Sequence, residues 1–361
     1  MLENEVRSNR TRLGWSQEEL AGRSGVSRAG ISAIETGRLV PSTSAALALA
    51  AAMGTTVESI FRLPGTRASG EGEAWAWTPP SWPCRYWRAE VGGRVHRYPV
   101  EVSPLGLVPH DGTAHEEGRD DRRRSDPSRT IVVACCDPAA GLLAAELARQ
   151  EEMRLLILPR SSVAALDLLD RGLVHAAGIH LARVDAPEGN AAAVREKLGG
   201  GRDWSLLHVA GWDEGIVMDP GLALGSIREI VGARLRWVER EPGSGAQQCL
   251  DEVLGPPGSR RPARGGTRAF DHRGVAGAIR GRGADAGICL RLAGDEAGLR
   301  FFSVRREAYD VCLPEAFLDD PRARAVLRVV RSEAYRRLLV DLPGYETART
   351  GELQPIRAAP G

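Results

Sequence analysis

The sequence predicts a multidomain protein, with an all-α unit over residues 1–65, a small β-rich connector over 66–129 and an α/β unit over 130–350. Three observations carry this reading. The first sixty residues hold five short stretches with apolar side chains at helical spacing, punctuated by Gly25, Gly37 and Pro41. Residues 64–80 then turn rich in glycine and proline, the mark of a linker. From residue 130 onward, apolar runs of strand length alternate with amphipathic stretches of helix length, which argues for largely parallel sheets. A chain of 361 residues is long enough for two or three such domains.

In the N-terminal unit, Leu2 to Leu13 predicts the first helix. Ser16 followed three residues later by Glu19 forms a capping box, so the second helix starts at Gln17, with Leu20 and Ala21 facing inward. Gly25 stops that helix, and Val26 tucks under the turn. Ser27 is a good N-cap for a third helix whose buried face carries Ile31 and Ile34, and which Gly37 ends. Pro41 and Ser42 open a fourth helix over STSAALALAAAM, and VESIF supplies a fifth. Gly30 is out of place inside the third helix, where it costs about 1 kcal/mol against alanine. It suggests either close backbone approach to a ligand or drift.

The SQEELA opening, the GVS turn, the I-x-x-I-E-x-G ending and the following P-S resemble the Cro/CI-type (XRE) helix-turn-helix of phage repressors, over residues 1–63. The resemblance implies that the second helix crosses the DNA backbone while the third enters the major groove of an operator. Ser27, Arg28, Ala29, Ser32 and Ala33 then face the bases, with Arg28 bidentate to a guanine and Ala29 against a thymine methyl. Gln17, Arg38 and Arg12 fall at phosphate-contacting positions. Arg10 and Glu35 match the family's internal ion pair. Six other arginines (7, 12, 23, 28, 38, 62) stand against Glu3, Glu5, Glu18, Glu19 and Glu58, so one head binds weakly. A homodimer on two half-sites of double-stranded DNA is expected. The alternative is a helix pair that binds protein.

Composition narrows the remaining classes. Net charge is +1, so no global field marks a partner. Lys197 is the only lysine; the arginine and glycine excess reads as coding bias, which weakens the meaning of any one arginine. No apolar run reaches the roughly 18 residues needed to span a membrane, and the charged N-terminus is unlike a signal peptide. The expectation is a cytoplasmic protein with no membrane contact. The six cysteines (84, 135, 136, 249, 289, 312) show no C-x-x-C and no clustered His/Cys spacing, so no metal site is expected. Cys135 and Cys136 read as reduced packing residues in preference to a redox pair.

In the connector, YWRAEVGGRVHRYPVEV predicts a hairpin around Gly92-Gly93, and Trp75, Trp77, Trp82 and Trp87 dock it on a neighbour. Residues 111–129 are so highly charged that they predict a mobile loop. Beyond them TIVVACC, MRLLILP and LVHAAGIHL predict strands, each of the first two followed by a helix. WSLLHVAGWDEGIVMDP predicts a strand pair, RLRWVERE a strand, HRGVAGAIRGRGADAGICL a helix then a strand, and LRFFSVRREAYDVCLP another strand. DPRARAVLRVVRSEAYRRLLVDL predicts one final helix.

The segments DPAAGLLAAEL, SSVAAL, GLVHAAGIHL, GWDEGIVMDPG, REPGSGAQQCLDEVL, AIRGRGADAGICL and EAYDVCLP together resemble the type II periplasmic-binding-protein (PBP-like) fold, close to molybdate-binding proteins. The resemblance implies two lobes that close on a small molecule, lobe one over about 130–205 plus 296–350 and lobe two over about 206–295. Three helix N-termini, near Asp137, at Ser161-Ser162 and at Gly243-Ser244-Gly245, offer N–H groups to an oxyanion. Arg240 precedes the last of these; Glu307 and Tyr309 fall at the cleft rim, and Asp285 reads as a ligand or hinge residue. The effector implied is molybdate, tungstate or a related metabolite, with a small organic anion as the other choice. Where the family often has G-S-G-T-R, this chain has GSGAQ; Ala246 and Gln247 remove a hydroxyl and a guanidinium. That leaves open a degenerate sensor serving only oligomerisation. The serines have a plain reading as helix caps, and His180 and His272 as structural groups. No nucleophile elbow, Ser/His/Asp set, G-x-G-x-x-G or P-loop stands out, so no catalytic residue and no enzyme activity is expected.

Overall fold

Contacts divide the chain into Met1–Glu73 and Ala74–Gly361, each built on its own core. The computed structural model describes residues 3–55, 57–62, 73–101, 109–122, 125–183, 185–186, 188–199, 201–255 and 267–357.

The first unit runs β1 (Glu3–Asn4), α1 (Val6–Arg12), α2 (Gln17–Ser24), α3 (Arg28–Glu35), α4 (Thr43–Ala52), α5 (Val57–Ile60) and β2 (Phe61–Arg62). The first helix starts later than its apolar pattern predicts, because β1 pairs antiparallel with β2 and Glu5 N donates to the Ile60 carbonyl. The same pairing takes Phe61 out of the fifth helix. Ser16, Ser27 and Ser42 each accept a backbone N–H three residues on, capping α2, α3 and α4. Gly25 ends α2 at φ +70, where a side chain would be strained. Gly30 has a local reason: a Cβ there would sit 3.1 Å from Ser27 Oγ, crowding the cap. Leu20, Ile31, Ile34, Leu49 and Ile60 form the core.

The second unit begins with β3 (Ala74–Trp75), β4 (Cys84–Val91), β5 (Arg94–Pro99), β6 (Gly112–Ala114) and β7 (Asp120–Arg122), in sheet order β3-β5-β4-β6-β7. Gly92 and Gly93, both at positive φ, turn the predicted hairpin. The stretch 111–129 is not one loop; among its described residues it supplies β6 and β7, with several of its charges individually paired. Tyr86 donates to Asp120 at 2.6 Å, Arg97 pairs with Asp120 at 2.9 Å, and Arg154 grips Asp111 through two bonds of 2.6 and 2.7 Å. Nor is the sheet a free connector. Trp87, Ala89, Val91 and Tyr98 share one core with Leu156, Leu166 and Ile179. Trp77 packs on that core, whereas Trp82 is exposed and stacks edge-on with Trp75.

The main sheet follows with β8 (Thr130–Cys135), α6 (Ala140–Glu151), β9 (Arg154–Pro159), α7 (Ser162–Asp170), β10 (Ala176–Arg183), α8 (Glu188–Leu198), β11 (Trp204–Met218), α9 (Ile227–Gly232), α10 (Gly245–Leu254), α11 (His272–Arg280), β12 (Ala286–Leu290), α12 (Arg291–Glu296), β13 (Arg300–Pro314), α13 (Pro321–Arg331), α14 (Glu333–Val340), β14 (Tyr345–Glu346) and β15 (Leu353–Ile356). Its order is β12-β11-β13-β10-β8-β9, with β14 and β15 on β11. The expected strand pair is one 15-residue strand, β11. It runs antiparallel to β13 along nearly its whole length, so the sheet is mixed: only β8–β9 and β8–β10 are parallel within it. Residues 204–208 of β11 and 310–314 of β13 build lobe one; residues 214–218 and 300–305, with β12, build lobe two. Register shifts between His208 and Ala210 and between Glu214 and Gly215 mark the crossing. RLRWVERE makes only isolated bridges, Trp237 to Ala286 and Glu239 to Arg268. The final helix breaks at Ser332, which caps α14 by accepting from Tyr335 N.

His175 ties the small sheet to the main one. Its Nδ1 accepts from Val132 N at 3.0 Å, and its Nε2 donates to the Glu90 carbonyl at 2.8 Å. Burial, with the Arg322 cation added, pushes its pKa from 6.5 down to about 3. Below the unfolded value the unfolded chain takes a proton that the folded chain refuses. Stability is therefore lost as pH falls from 6.5 towards 3, with a limiting slope of about 1.4 kcal/mol per pH unit. His175→Gln keeps a donor and an acceptor but does not titrate. Its urea midpoint is expected to vary less across that window than the parent's; equal slopes would remove His175 as the cause.

Candidate functional site: a groove-facing helix and a closed interlobe cleft

In the first unit, α3 presents Ser27, Arg28 and Ala29 to solvent, with Ser32 and Ala33 half-buried behind them. The Arg28 side chain is 68% exposed and lies 3.6 Å from Glu18, a pairing loose enough to yield to another acceptor. Arg38 is exposed and donates to Thr36 Oγ1. Gln17 turns inward instead: its amide donates to Glu35 Oε2 at 2.9 Å, so its side chain buttresses the Arg10–Glu35 pair. The side chain of Arg12 lies outside the described residues.

In the second unit, four helix N-termini meet where the lobes close. The serines predicted to bind a ligand are largely committed to the protein. Ser162 Oγ accepts from His180 N at 3.1 Å. Ser244 Oγ caps α10 by accepting from Gln247 N and donates to the Glu241 carbonyl. Ser161 precedes α7, is buried, and makes no capping bond. Gly243 sits at φ +81, and Gly245 has a steric reason: a Cβ there would lie 2.5 Å from the His180 carbonyl. Helix α10 of lobe two thus rests directly on β10 of lobe one. Gln247 accepts from Arg240 N at 2.9 Å and donates to Asp251. Asp137 accepts from Tyr345 Oη at 2.7 Å and Ala139 N at 2.8 Å. Asp285 stands apart, accepting three bonds from Arg236.

The centre is carried by the two crossing strands. Period-two spacing puts Arg305, Glu307 and Tyr309 on one face of β13, and Trp212 and Glu214 on one face of β11. Glu307 Oε2 accepts from His180 Nδ1 at 2.6 Å and Trp212 Nε1 at 3.3 Å, while Oε1 pairs with Arg305. Arg305 also reaches Glu214 at 3.3 Å, the Gly245 carbonyl at 2.9 Å and Glu252 at 2.9 Å. His180 Nε2 lies 3.0 Å from Cys136 Sγ. Trp212 stacks on Tyr309 with centroids 4.6 Å apart. The fourth helix, α11, brings His272, whose Nδ1 is 3.4 Å from Arg240 Nη1.

Burial dominates the electrostatics. It raises Glu214 to about 8, helped by repulsion from Glu307. Burial also raises Glu307, against the pull of Arg305. It depresses His272 well below the usual imidazole range, with Arg240 adding to the effect. Burial lowers His180 too, but the neighbouring Cys136 and Glu214 outweigh it and the net shift is upward. Glu214 Oε1, Arg240 Nε, His272 Nε2 and Arg305 Nε are buried with no hydrogen-bond partner among the described residues. A cavity of only about 30 Å³ borders Cys136, Asp137 and His272, room for about two waters.

The sequence reading found Asp137, Ser162, Arg240, Ser244, Gly245, Gln247, Glu307 and Tyr309, all of which gather here. Cys136, Trp212, Glu214 and Arg305 carry no sequence signal as ligand residues, and His180 and His272, which read as structural groups, belong to the same cluster. Among the described residues, two sets have ligand atoms within 4.8 Å of one another: Cys136, His180 and His272, and His180, Glu214 and Glu307. No local spacing announces either set. The one readable signal was the R-x-E-x-Y alternation on β13.

A family model for the PBP superfamily domain matches residues 144–331, and a helix-turn-helix model matches residues 6–60. The uncharacterized protein YvgK of Bacillus subtilis (strain 168) is 27% identical over 233 residues, covering 63% of this chain and 74% of its own length. The uncharacterized HTH-type transcriptional regulator YgzD of the same organism is 40% identical over 62 residues, 17% of this chain and 94% of that protein. An ABC-type phosphate transport receptor from Vibrio cholerae superposes with a TM-score of 0.41 at 13% identity, covering 59% of this chain and 98% of that one.

Proposed function

The chain belongs to the PBP superfamily and carries a helix-turn-helix ahead of that domain, and from this pairing we propose a one-component transcriptional regulator that binds a DNA operator and senses a small molecule. The observation that carries the sensing half is the cleft. Both strands that cross between the lobes place buried charge at the crossing, and two guanidinium nitrogens there lack partners. Buried donors left unpaired cost free energy that a bound acceptor recovers. Arg240, Arg305 and four helix N-termini favour an anion, either molybdate or tungstate or a small organic anion. The protein acts as a cytoplasmic homodimer without catalysis. Effector binding changes operator affinity only by its differential affinity for open and closed lobes.

Thermal unfolding of the full chain against molybdate, tungstate, sulfate, phosphate and small carboxylates tests the sensor. An effector at 100 times its Kd stabilises by about 2.7 kcal/mol. A flat panel favours the second reading, a degenerate sensor, which the small cavity and the internally bonded serines support. For the DNA half, an operator is selected from random duplexes. Arg28→Ala is expected to cost about 1–3 kcal/mol there and to relax preference at one base pair. Unchanged affinity and preference would remove Arg28 from base readout.

A further inference from the structure

We propose that Cys136, His180 and His272 form a binding site for a thiophilic divalent transition-metal ion of the zinc class, with Glu307 as the carboxylate that orients His180. This goes beyond the anion-sensing reading and needs neither DNA nor an anionic effector.

Four independent features converge. One ligand atom from each of the three residues lies within 4.8 Å of the others, and Cys136 Sγ is already 3.0 Å from His180 Nε2. A tetrahedral zinc-class ion holds sulfur and nitrogen ligands about 3.3–3.6 Å apart, so small side-chain movements suffice. Second, the His180 tautomer is set for ligation. Nδ1–H donates to Glu307 Oε2, which leaves the Nε2 lone pair aimed at the thiol. Glu307 is in turn fixed by Trp212 and Arg305. A carboxylate behind a ligating imidazole is the usual outer support of such sites. Third, His272 Nε2 is without a partner in a side chain 1% exposed, a buried polar atom that ligation would satisfy. Arg240 donates to Nδ1 at 3.4 Å, so Nε2 carries the proton in the free site; when the metal takes Nε2 that proton moves to Nδ1 and Arg240 swings away from it. Fourth, the adjoining cavity suits a single ion better than a molecule.

Binding releases the Cys136 thiol proton to solvent. Three protein ligands leave one tetrahedral position open.

The test is a titration of the reduced full-length protein with Co(II), then Zn(II) in competition with a chromophoric chelator. One equivalent of Co(II) is expected to produce a near-ultraviolet sulfur-to-cobalt charge-transfer band that Zn(II) abolishes. Cys136→Ser removes the band and weakens Zn(II) binding at least a hundredfold, while its circular dichroism stays that of the parent. Glu307→Gln keeps the band but weakens Zn(II) about tenfold. Failure of the parent protein to bind Co(II) and Zn(II) would overturn the proposal. So would binding without a sulfur band, or a band that survives in Cys136→Ser. A flat oxyanion panel leaves these outcomes untouched, so the two readings fail separately.

Discussion

Arg305→Met is expected to destabilise the second unit by about 3–5 kcal/mol where Glu214 and Glu307 are ionised, and by less below about pH 8, where burial already favours protonated Glu214. The guanidinium is 5% exposed, and Glu214 and Glu307 are 0% and 1% exposed. Methionine fills much the same space but supplies no charge. Two acids on facing strands then repel without a cation between them, and the Gly245 carbonyl loses its donor. Arg305→Lys falls between, since one ammonium cannot reach Glu307, Glu214, Glu252 and the Gly245 carbonyl together. The control is the triple substitution Arg305→Met with Glu214→Gln and Glu307→Gln. If the cost lies in uncompensated charge, the triple variant regains most of it; if it lies in packing, it does not. Urea unfolding followed by the emission of Trp212 and its neighbours reads both. A loss below 1 kcal/mol for the single variant, even above pH 8, would mean that the acids take up protons or that water reaches them, so that no charge is stranded.

How much of this was legible depends on where the information lies along the chain. Caps are local, so Ser16, Ser27, Ser42 and Ser244 were readable from a serine and the residues after it, and each caps its helix. The hairpin at Gly92-Gly93 is local for the same reason. The interlobe cluster is not. Cys136 and His180 come from β8's end and β10, His272 from the start of α11, and Arg305 and Glu307 from β13. Only the fold brings them together, and no alignment-free spacing rule joins them. WSLLHVAGWDEGIVMDP reads as a strand pair, whereas β11 runs unbroken for 15 residues through Gly211 and Asp213-Glu214. In fact those positions lie at the crossing between lobes, where the strand carries site chemistry and its register shifts. The charged stretch 111–129 failed differently. Charge density predicted solvation, but Asp111 and Asp120 each meet a specific arginine. Arg240 and Ser244 read from sequence as free donors to a ligand, and both lie at the cleft. The structure commits the serine to capping and leaves only part of the arginine unpaired.

Arg10→Met should abolish DNA binding without touching a DNA contact. Arg10 bonds Glu35 at 2.7 and 3.2 Å and the Trp15 carbonyl at 2.7 Å, tying α1 to the end of α3. Glu35 is 3% exposed and accepts from Gln17 as well. Removing the cation leaves a buried carboxylate with one amide donor, a loss of about 3–5 kcal/mol. A unit the size of Met1–Glu73 has about 4–11 kcal/mol in total, so the variant sits near its unfolding threshold. Burial alone would raise the Glu35 pKa, but Arg10 and Gln17 outweigh it and hold it below 4.5. The folded value is depressed, so the pair's contribution is present above about pH 4.5 and fades as pH falls further. In Arg10→Met that acid sensitivity reverses: burial then favours the protonated acid, and mild acidification partly restores the fold. Circular dichroism of the variant at pH 7 and pH 5, with operator binding by anisotropy, reads both effects. Because the second unit has its own core, its thermal transition should not move. Loss of DNA binding with helical content intact at pH 7 would instead give Arg10 a direct role on the DNA.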